Sequence, residues 1–185
     1  HRHNTVSMDF FVVPTITFAL LYGLIILDHS KREVIHFNVT DAPTSLWTQN
    51  QIKEAFTWDE HDKKYFIHEN DTIFNKDVKS LIENMGFERK PTAFKCPWQN
   101  PYSERVIGSI KRELTDHLIV INQKHLKLML EKYFEYYHND RTHIGLNKDS
   151  PYGREQEIVN NITDPITSLP RVGGLHHKYE NQIAA

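Results

Sequence analysis

One apolar segment, residues 10–27, constrains the fold of this chain more than any other feature. A membrane-spanning helix needs about 20 consecutive, predominantly apolar residues. Here Pro14, two threonines and Gly23 interrupt the segment, and β-branched and aromatic side chains dominate it. These residues favour strands over a helix. We therefore predict two buried strands, residues 8–13 and 18–28, and no membrane helix or signal peptide in this region.

Further strands and helices are predicted after this pair. Residues 32–39 alternate polar and apolar side chains, as a half-buried strand does. Thr44 is a suitable N-cap for a helix over residues 45–56, whose expected apolar contacts are Leu46, Ile52, Ala55 and Phe56. The next elements are a strand over residues 63–68, a helix over 76–85 that ends before Gly86, and a strand near 87–89.

The last part of the chain predicts two long helices and a tail. Ser103 is a suitable N-cap for a helix that runs to about residue 120, and Asn122 for a second helix. The second helix carries an apolar stripe that we interpret as core: Leu126, Met129, Leu130, Tyr133, Phe134 and Tyr137. From residue 152 onward this periodicity is lost. The order of elements predicts an α/β core over residues 1–151 and an extended tail over 152–185.

Bulk composition agrees with one soluble globular domain. The chain has 185 residues, of which 39% are hydrophobic and 25% charged, which is ordinary for such domains. Its single cysteine, Cys96, excludes an internal disulfide and a His/Cys zinc module. None of the twelve histidines is paired at the spacing of a closed metal site.

Charge is distributed unevenly along the chain, although the net charge is only −2. Residues 28–88 carry 7 basic and 12 acidic side chains, whereas residues 89–145 carry 10 basic and 6 acidic ones. Contacts with phosphate groups are therefore expected in the second region. A solvated surface explains the same charges, and charge alone does not decide between the two.

Acidic residues stand at three places where predicted elements begin or end. Asp9 begins an apolar strand, Glu69 and Asp71 follow another, and Glu104 lies at the start of a helix. Carboxylates at such positions can converge in a folded domain, and three of them can hold two divalent cations for attack on phosphodiesters. With 24 acidic residues in the chain, a chance arrangement remains the alternative.

Longer motifs surround these acids. Residues 96–105 read CPWQNPYSER, residues 136–146 read YYHNDRTHIGL, residues 9–14 read DFFVVP and residues 169–177 read LPRVGGLHH. Together they resemble insertion-sequence transposases of the Asp-Asp-Glu integrase superfamily, in the same order and over nearly the whole chain. The resemblance implies a ribonuclease-H-like fold, a mixed five-stranded sheet flanked by helices.

The resemblance also implies an activity, cofactors and site residues. It implies a catalytic core that cuts and joins DNA by two-metal-ion chemistry, with two Mg²⁺ or Mn²⁺ ions and without a covalent protein–DNA intermediate. The implied catalytic and metal-binding residues are Asp9, Glu69 and Glu104. Basic residues after the third acid hold DNA phosphate in the family, and the implied DNA-binding residues are Arg105, Lys111 and Arg112.

Glu69 departs from the family pattern. The second acid of the superfamily is an aspartate about 35 residues before the third, and Glu69 lies at that spacing from Glu104, whereas Asp71 lies 33 residues before it. A glutamate carries its carboxylate about 1.5 Å farther out, and magnesium requires near-octahedral geometry. We expect impaired activity, with Asp71 as a substitute acid or as a cap of its own turn.

Partners also follow from the resemblance. Transposon ends and target DNA are the implied partners, with a homo-oligomer assembled on DNA and a cytoplasmic, nucleoid-associated setting of bacterial type. The sequence-reading domain that precedes such cores is not expected ahead of Asp9. A catalytically inactive DNA-binding or oligomerisation remnant is the alternative function. A cellular ribonuclease H fits less well, because residues 96–117 resemble transposases.

Overall fold

The computed structural model describes residues 2–56, 63–93, 97–154 and 165–181. The chain divides into two compact units, with the boundary between Lys127 and Leu128. Cys96 and the tail positions 155–164 and 182–185 lie outside the described residues. The division into a core and a tail at residue 151 stays a prediction.

A mixed five-stranded sheet forms the centre of the first unit. Its strands are β1 (Thr5–Pro14), β2 (Leu20–Asp28), β3 (Glu33–Thr40), β4 (Tyr65–His68) and β5 (Glu88–Pro91). They lie in the order β3-β2-β1-β4-β5. The first three pair antiparallel, while β4 pairs parallel with both β1 and β5. The predicted mixed five-stranded sheet is confirmed.

One face of this sheet is covered by helices α1 (Ser45–Ala55) and α2 (Lys76–Asn84). The side chains of Thr44 and Asn75 accept backbone N–H bonds at their first turns, so the predicted Thr44 cap is confirmed. Ile52 and Phe56 lie in the core. The prediction was wrong for Leu46, which is 67% exposed, because the first turn of α1 presents it to solvent.

Helix α3 (Pro101–Glu113) contacts β1 and β2. It begins two residues before the predicted cap and ends earlier than residue 120, so the predicted bounds are wrong at both ends. Proline is well suited to the first helical position, where its fixed φ is helical and its missing N–H is not needed. Ser103 is therefore an internal, fully buried helix residue. At the other end, Leu114 leaves helical geometry, with φ −132° and ψ −70°.

Helix α4 (Gln123–Asn139) follows Asn122 as predicted. The Asn122 Oδ1 accepts the backbone N–H of His125 at 2.9 Å, the bond of an N-cap. The predicted stripe is confirmed as core, since its members are buried and only Met129 is partly exposed: Leu126, Leu130, Tyr133, Phe134 and Tyr137.

The second unit contains a β-hairpin that the sequence analysis did not predict. Strands β6 (Ile166–Arg171) and β7 (His176–Asn181) pair antiparallel around a turn at Val172–Gly174. The His176 ring stacks on Tyr136 of α4 with centroids 4.6 Å apart. Arg171 forms an ion pair with Asp140, at 2.5 Å. The described part of the tail is therefore a hairpin packed on α4, and the expectation of an aperiodic extended tail was wrong for it.

No helix in the described part of the chain has the length and apolar character of a membrane span.

Candidate functional site

Parallel pairing of β1 with β4 brings Asp9 and Glu69 to the same level of the sheet. The register places Ser7 opposite Ile67, and continuing it by two residues places Asp9 opposite Glu69. Glu69 directly follows the last residue of β4, where the chain leaves the sheet. Two acids that are 60 residues apart in sequence therefore lie on neighbouring strands.

Helix α3 brings Glu104 to the same place. Successive side chains of a strand point to opposite faces, so Ser7 and Asp9 share the face of β1 that is turned away from the α1/α2 core. On this face the Ser7 Oγ lies 2.6 Å from the Ser103 Oγ in a buried hydrogen bond. Ser103 immediately precedes Glu104, and Ser7 is two residues from Asp9. This bond places the first turn of α3 beside the Asp9 end of β1.

Electrostatics shows that the three acids share one site. Asp9 is only 3% exposed, and its pKa is raised from an ordinary 3.8 to about 8. Burial is the largest cause, followed by repulsion from Glu69, while the Phe10 N–H lowers the pKa and Glu104 raises it further. Without a cation, the site therefore holds a proton on Asp9 at neutral pH.

Glu69 takes part in the same repulsion. Its side chain is half-buried, and its pKa is raised by burial first, then by Glu104 and by Asp71. Glu104 itself is exposed. The cluster consists of one buried carboxylate and two that reach solvent, which leaves an open side for a substrate.

Carboxylates alone make this a donor set suited to a hard divalent cation such as Mg²⁺ or Mn²⁺. In their present orientations, no three His, Cys, Asp or Glu side chains of the described residues stand in metal-holding geometry. The mutual repulsion indicates that the three carboxylates lie near one another. Burial is the largest cause of both raised pKa values, followed by repulsion between the carboxylates, and a bound cation would offset both causes. In donor chemistry, these carboxylates fit a divalent metal.

Asn100 is a neighbour of Asp9 whose contact the sequence analysis did not predict. Its Nδ2 donates to the Asp9 Oδ2 at 3.4 Å, while the other carboxylate oxygen accepts the Phe10 N–H at 2.8 Å. Asn100 is 2% exposed, and its Oδ1 has no hydrogen-bond partner among the described residues.

Asp71 occupies a turn after β4. Its Oδ1 accepts the Thr72 hydroxyl at 2.9 Å and the Ile73 N–H at 3.3 Å, and its side chain is exposed. These bonds are those of the turn cap that the sequence analysis considered. Its role as a substitute acid stays a prediction.

Three basic residues project from α3 into solvent: Arg105, Lys111 and Arg112. Lys111 lies seven residues, or about two turns, from Glu104 and therefore on the same side of the helix. The Arg112 guanidinium lies back along the helix over Gly108, where an added Cβ would stand 2.9 Å from its Nη1. Their exposure beside the acids agrees with the predicted DNA contacts, which remain a prediction.

Comparisons with known proteins agree with this fold. Residues 85–151, less than half of the chain, match the family described as integrase core domain. The catalytic domain of Mos1 mariner transposase superposes with a TM-score of 0.61 at 15% identity, over 72% of this chain and 71% of that one. The catalytic core domain of BIV integrase gives 0.58 at 16% identity, over 81% and 91%. No curated protein sequence matches the chain.

A third similar structure is the HTLV-2 integrase catalytic core domain, a dimeric form in complex with magnesium. Its TM-score is 0.61 at 11% identity, over 82% of this chain and 94% of that one. The Mos1 catalytic domain is also known with Mn and with Mg. The fold of this chain is thus the ribonuclease-H-like fold of transposase and integrase catalytic cores, and the predicted resemblance is confirmed.

Proposed function

We propose that this chain, which has the fold of transposase and integrase catalytic cores, cuts and joins DNA phosphodiesters during DNA transposition with the help of divalent metal ions. The observation that carries the proposal is geometric: Asp9 is buried on β1 at the level of Glu69, and the Ser7–Ser103 bond places the helix turn that carries Glu104 beside it. The raised pKa of Asp9, to about 8, agrees with this arrangement. Perturbed acids that share a site are typical of functional centres. Asp28, which is also buried, is by contrast paired with Lys63 at 3.0 Å.

Asp9, Glu69 and Glu104 are the residues that would hold the metal, two ions of Mg²⁺ or Mn²⁺ in our proposal. When bound, such ions supply a lowered pKa for an attacking water or DNA 3′-hydroxyl and charge stabilisation at the phosphate. The chain's own part is to hold Asp9 rigidly on β1 and to present the two glutamates from a strand end and a helix. Asn100 orients Asp9 through its side-chain amide.

Arg105, Lys111 and Arg112 supply the proposed contacts with DNA phosphate. All three are exposed on the helix that carries Glu104, so a duplex bound along α3 would reach the acids. Such contacts position the DNA without reading its sequence. Transposon ends and target DNA are the proposed substrates.

Association into a homo-oligomer on DNA is part of the proposal, because joining two DNA ends requires more than one active site. The HTLV-2 catalytic core is described in a dimeric form. The tail after residue 152, with its β6–β7 hairpin, is the proposed contact with a neighbouring subunit. A bacterial mobile element acting at the nucleoid is the proposed setting.

A catalytically inactive DNA-binding remnant is the second candidate. Two observations favour it. A glutamate stands at position 69, where the family has aspartate, and no three His, Cys, Asp or Glu side chains of the described residues stand in metal-holding geometry. This candidate keeps the fold and the basic face of α3 but predicts no metal-dependent cleavage.

Cleavage of supercoiled plasmid DNA in Mn²⁺ separates the two candidates. The proposed function predicts nicking that Glu104→Gln abolishes. Glu113→Gln is the matched control, because residue 113 lies on the same helix nine residues along, on the opposite side. Nicking that survives Glu104→Gln would refute the site assignment. Calorimetry adds a second measurement: Mn²⁺ binding without nicking would favour the remnant.

A further inference from the structure

A buried hydrogen-bond network lies directly behind the three acids. The Ser103 Oγ is 2.6 Å from the Ser7 Oγ, and the Ser7 Oγ is 2.7 Å from the His29 Nε2. The exposed fractions are 0%, 0% and 3%. The network joins α3 to β1 and to the turn after β2, three segments that are distant in sequence.

His29 is suited to a fixed, uncharged role in this network. Burial, and then the nearby Arg32, lower its pKa to about 4, against which Asp28 acts weakly. A neutral imidazole has one donor and one acceptor nitrogen, and each serine hydroxyl both donates and accepts. One imidazole and two hydroxyl groups can therefore form the two consecutive hydrogen bonds of this network while all three remain uncharged.

The residue before Ser103 is held at the same place. The Tyr102 ring meets the His29 ring edge-on, with centroids 4.6 Å apart. The Arg32 guanidinium also lies over the Tyr102 ring, with its Cζ 3.6 Å from the ring centroid. Arg32 has a φ of +61°, in the left-handed region that non-glycine residues seldom adopt. Tyr102 is thus fixed against the turn between β2 and β3, and the next residue, Ser103, is fixed against β1.

We propose that Ser7, His29, Tyr102 and Ser103, which we name the clamp, set the position of Glu104 relative to Asp9. This inference rests on the proposed function. The clamp residues touch neither substrate nor metal in our proposal, so they are positioning residues.

The geometry supports this role in two ways. Asp9 is two residues from Ser7 on one face of β1, and Glu104 directly follows Ser103. One hydrogen bond therefore sets both the height of α3 along the strand and the rotation of its first turn. A buried hydroxyl pair is satisfied only in one register, whereas apolar side chains at the same positions would tolerate sliding. Because a misplacement of about 1 Å can cost on the order of a hundredfold in rate, register matters here.

Serine-to-alanine variants test the clamp. Ser103→Ala and Ser7→Ala are each expected to weaken Mn²⁺ binding, measured by calorimetry, about tenfold, as loss of groups that orient metal ligands does. In plasmid nicking they should lower kcat and leave the KM for DNA unchanged. Ser109→Ala is the matched control: residue 109 is a 3% exposed serine on the same helix, and its variant should keep wild-type affinity.

A double variant makes the test sharper. If Ser7 and Ser103 act through their shared hydrogen bond, the Ser7→Ala/Ser103→Ala protein should bind Mn²⁺ about as weakly as either single variant, since effects within one interaction are not additive. Urea unfolding of each variant checks that the first unit is folded at the assay temperature. If Ser103→Ala does not fold, the Mn²⁺ affinity of Ser7→Ala alone tests the clamp.

Each outcome separates the clamp from the proposed function. Mn²⁺ affinities of both clamp variants equal to that of Ser109→Ala would overturn the clamp, while Glu104-dependent nicking would still support the proposed function. Wild-type protein that binds Mn²⁺ through Asp9 but does not nick DNA would refute the proposed function alone, and the affinities would still decide on the clamp. Wild-type protein that binds no Mn²⁺ would overturn both.

Discussion

Replacement of Asp9 by asparagine is expected to stabilise the metal-free protein at alkaline pH. The substitution keeps the size of the side chain and removes its charge. In the folded chain Asp9 is 3% exposed, and its pKa is about 8 instead of 3.8. Folding at high pH therefore requires a carboxylate to ionise in a buried site beside Glu69, which costs free energy that asparagine does not incur.

The magnitude and the pH window follow from the same pKa. Between pH 3.8 and about 8 the folded state holds a proton that the unfolded state has released, so the free energy of unfolding decreases as the pH rises through this window. Each pKa unit corresponds to about 1.36 kcal/mol, which sets an upper limit of about 6 kcal/mol. Relaxation of the site reduces the cost of ionising Asp9 below this limit. We therefore expect Asp9→Asn to raise the free energy of unfolding by about 2–4 kcal/mol at pH 8.5 and to change it very little at pH 4.

Urea unfolding of both proteins from pH 4 to pH 9 measures this difference. His29 has a lowered pKa of about 4 and acts in the opposite direction, increasing stability as the pH rises toward the ordinary histidine value. Subtracting the wild-type curve from the Asp9→Asn curve cancels this contribution. Asp41→Asn, the same change at an exposed position, controls for the substitution itself.

Metal ions should reverse the order of stability. Mn²⁺ that binds only the folded wild-type protein stabilises it by mass action, by about 4.1 kcal/mol at a thousand times the dissociation constant, which exceeds the advantage expected for Asp9→Asn. The same concentration should leave Asp9→Asn unchanged. The reasoning is refuted if Asp9→Asn is less stable than the wild type at pH 8.5 without metal, because Asp9 would then be a stabilising carboxylate.

Two further predictions concern positions 69 and 23. Glu69→Asp restores the family's residue and shortens the reach of the carboxylate by about 1.5 Å, so Mg²⁺-dependent nicking should rise about tenfold, whereas Glu69→Gln should abolish it and Asp71→Asn should change it little. An essential Asp71 with a dispensable Glu69 would show that the 35-residue spacing was misassigned. Gly23→Ala should lower the free energy of unfolding by about 2–3 kcal/mol, because its Cβ would stand 2.3 Å from the Phe11 ring. Phe11→Leu should restore part of the stability that Gly23→Ala loses. A Gly23→Ala protein as stable as the wild type would contradict the packing of Phe11 against Gly23 on the paired strands β1 and β2.

The elements whose causes are local could be predicted from the amino-acid sequence. Thr44 and Asn122 cap their helices through bonds to N–H groups three residues away, and the stripe of α4 follows from a period of 3.6 residues. The motif around Glu104 pointed to the fold, which similarity to known catalytic cores confirms.

Contacts between residues that are distant in sequence depend on packing in the folded chain. Ser103 has the local preference of an N-cap, but its hydroxyl bonds Ser7, 96 residues away, inside a helix that Pro101 begins. The β6–β7 hairpin depends on contacts with α4 that no local pattern displays. The meeting of Asp9, Glu69 and Glu104 depends on a parallel strand pairing and on the seating of one helix. Such pairings are set by packing between segments far apart in the chain, which is why residue preferences alone indicate candidate acids but not their common site.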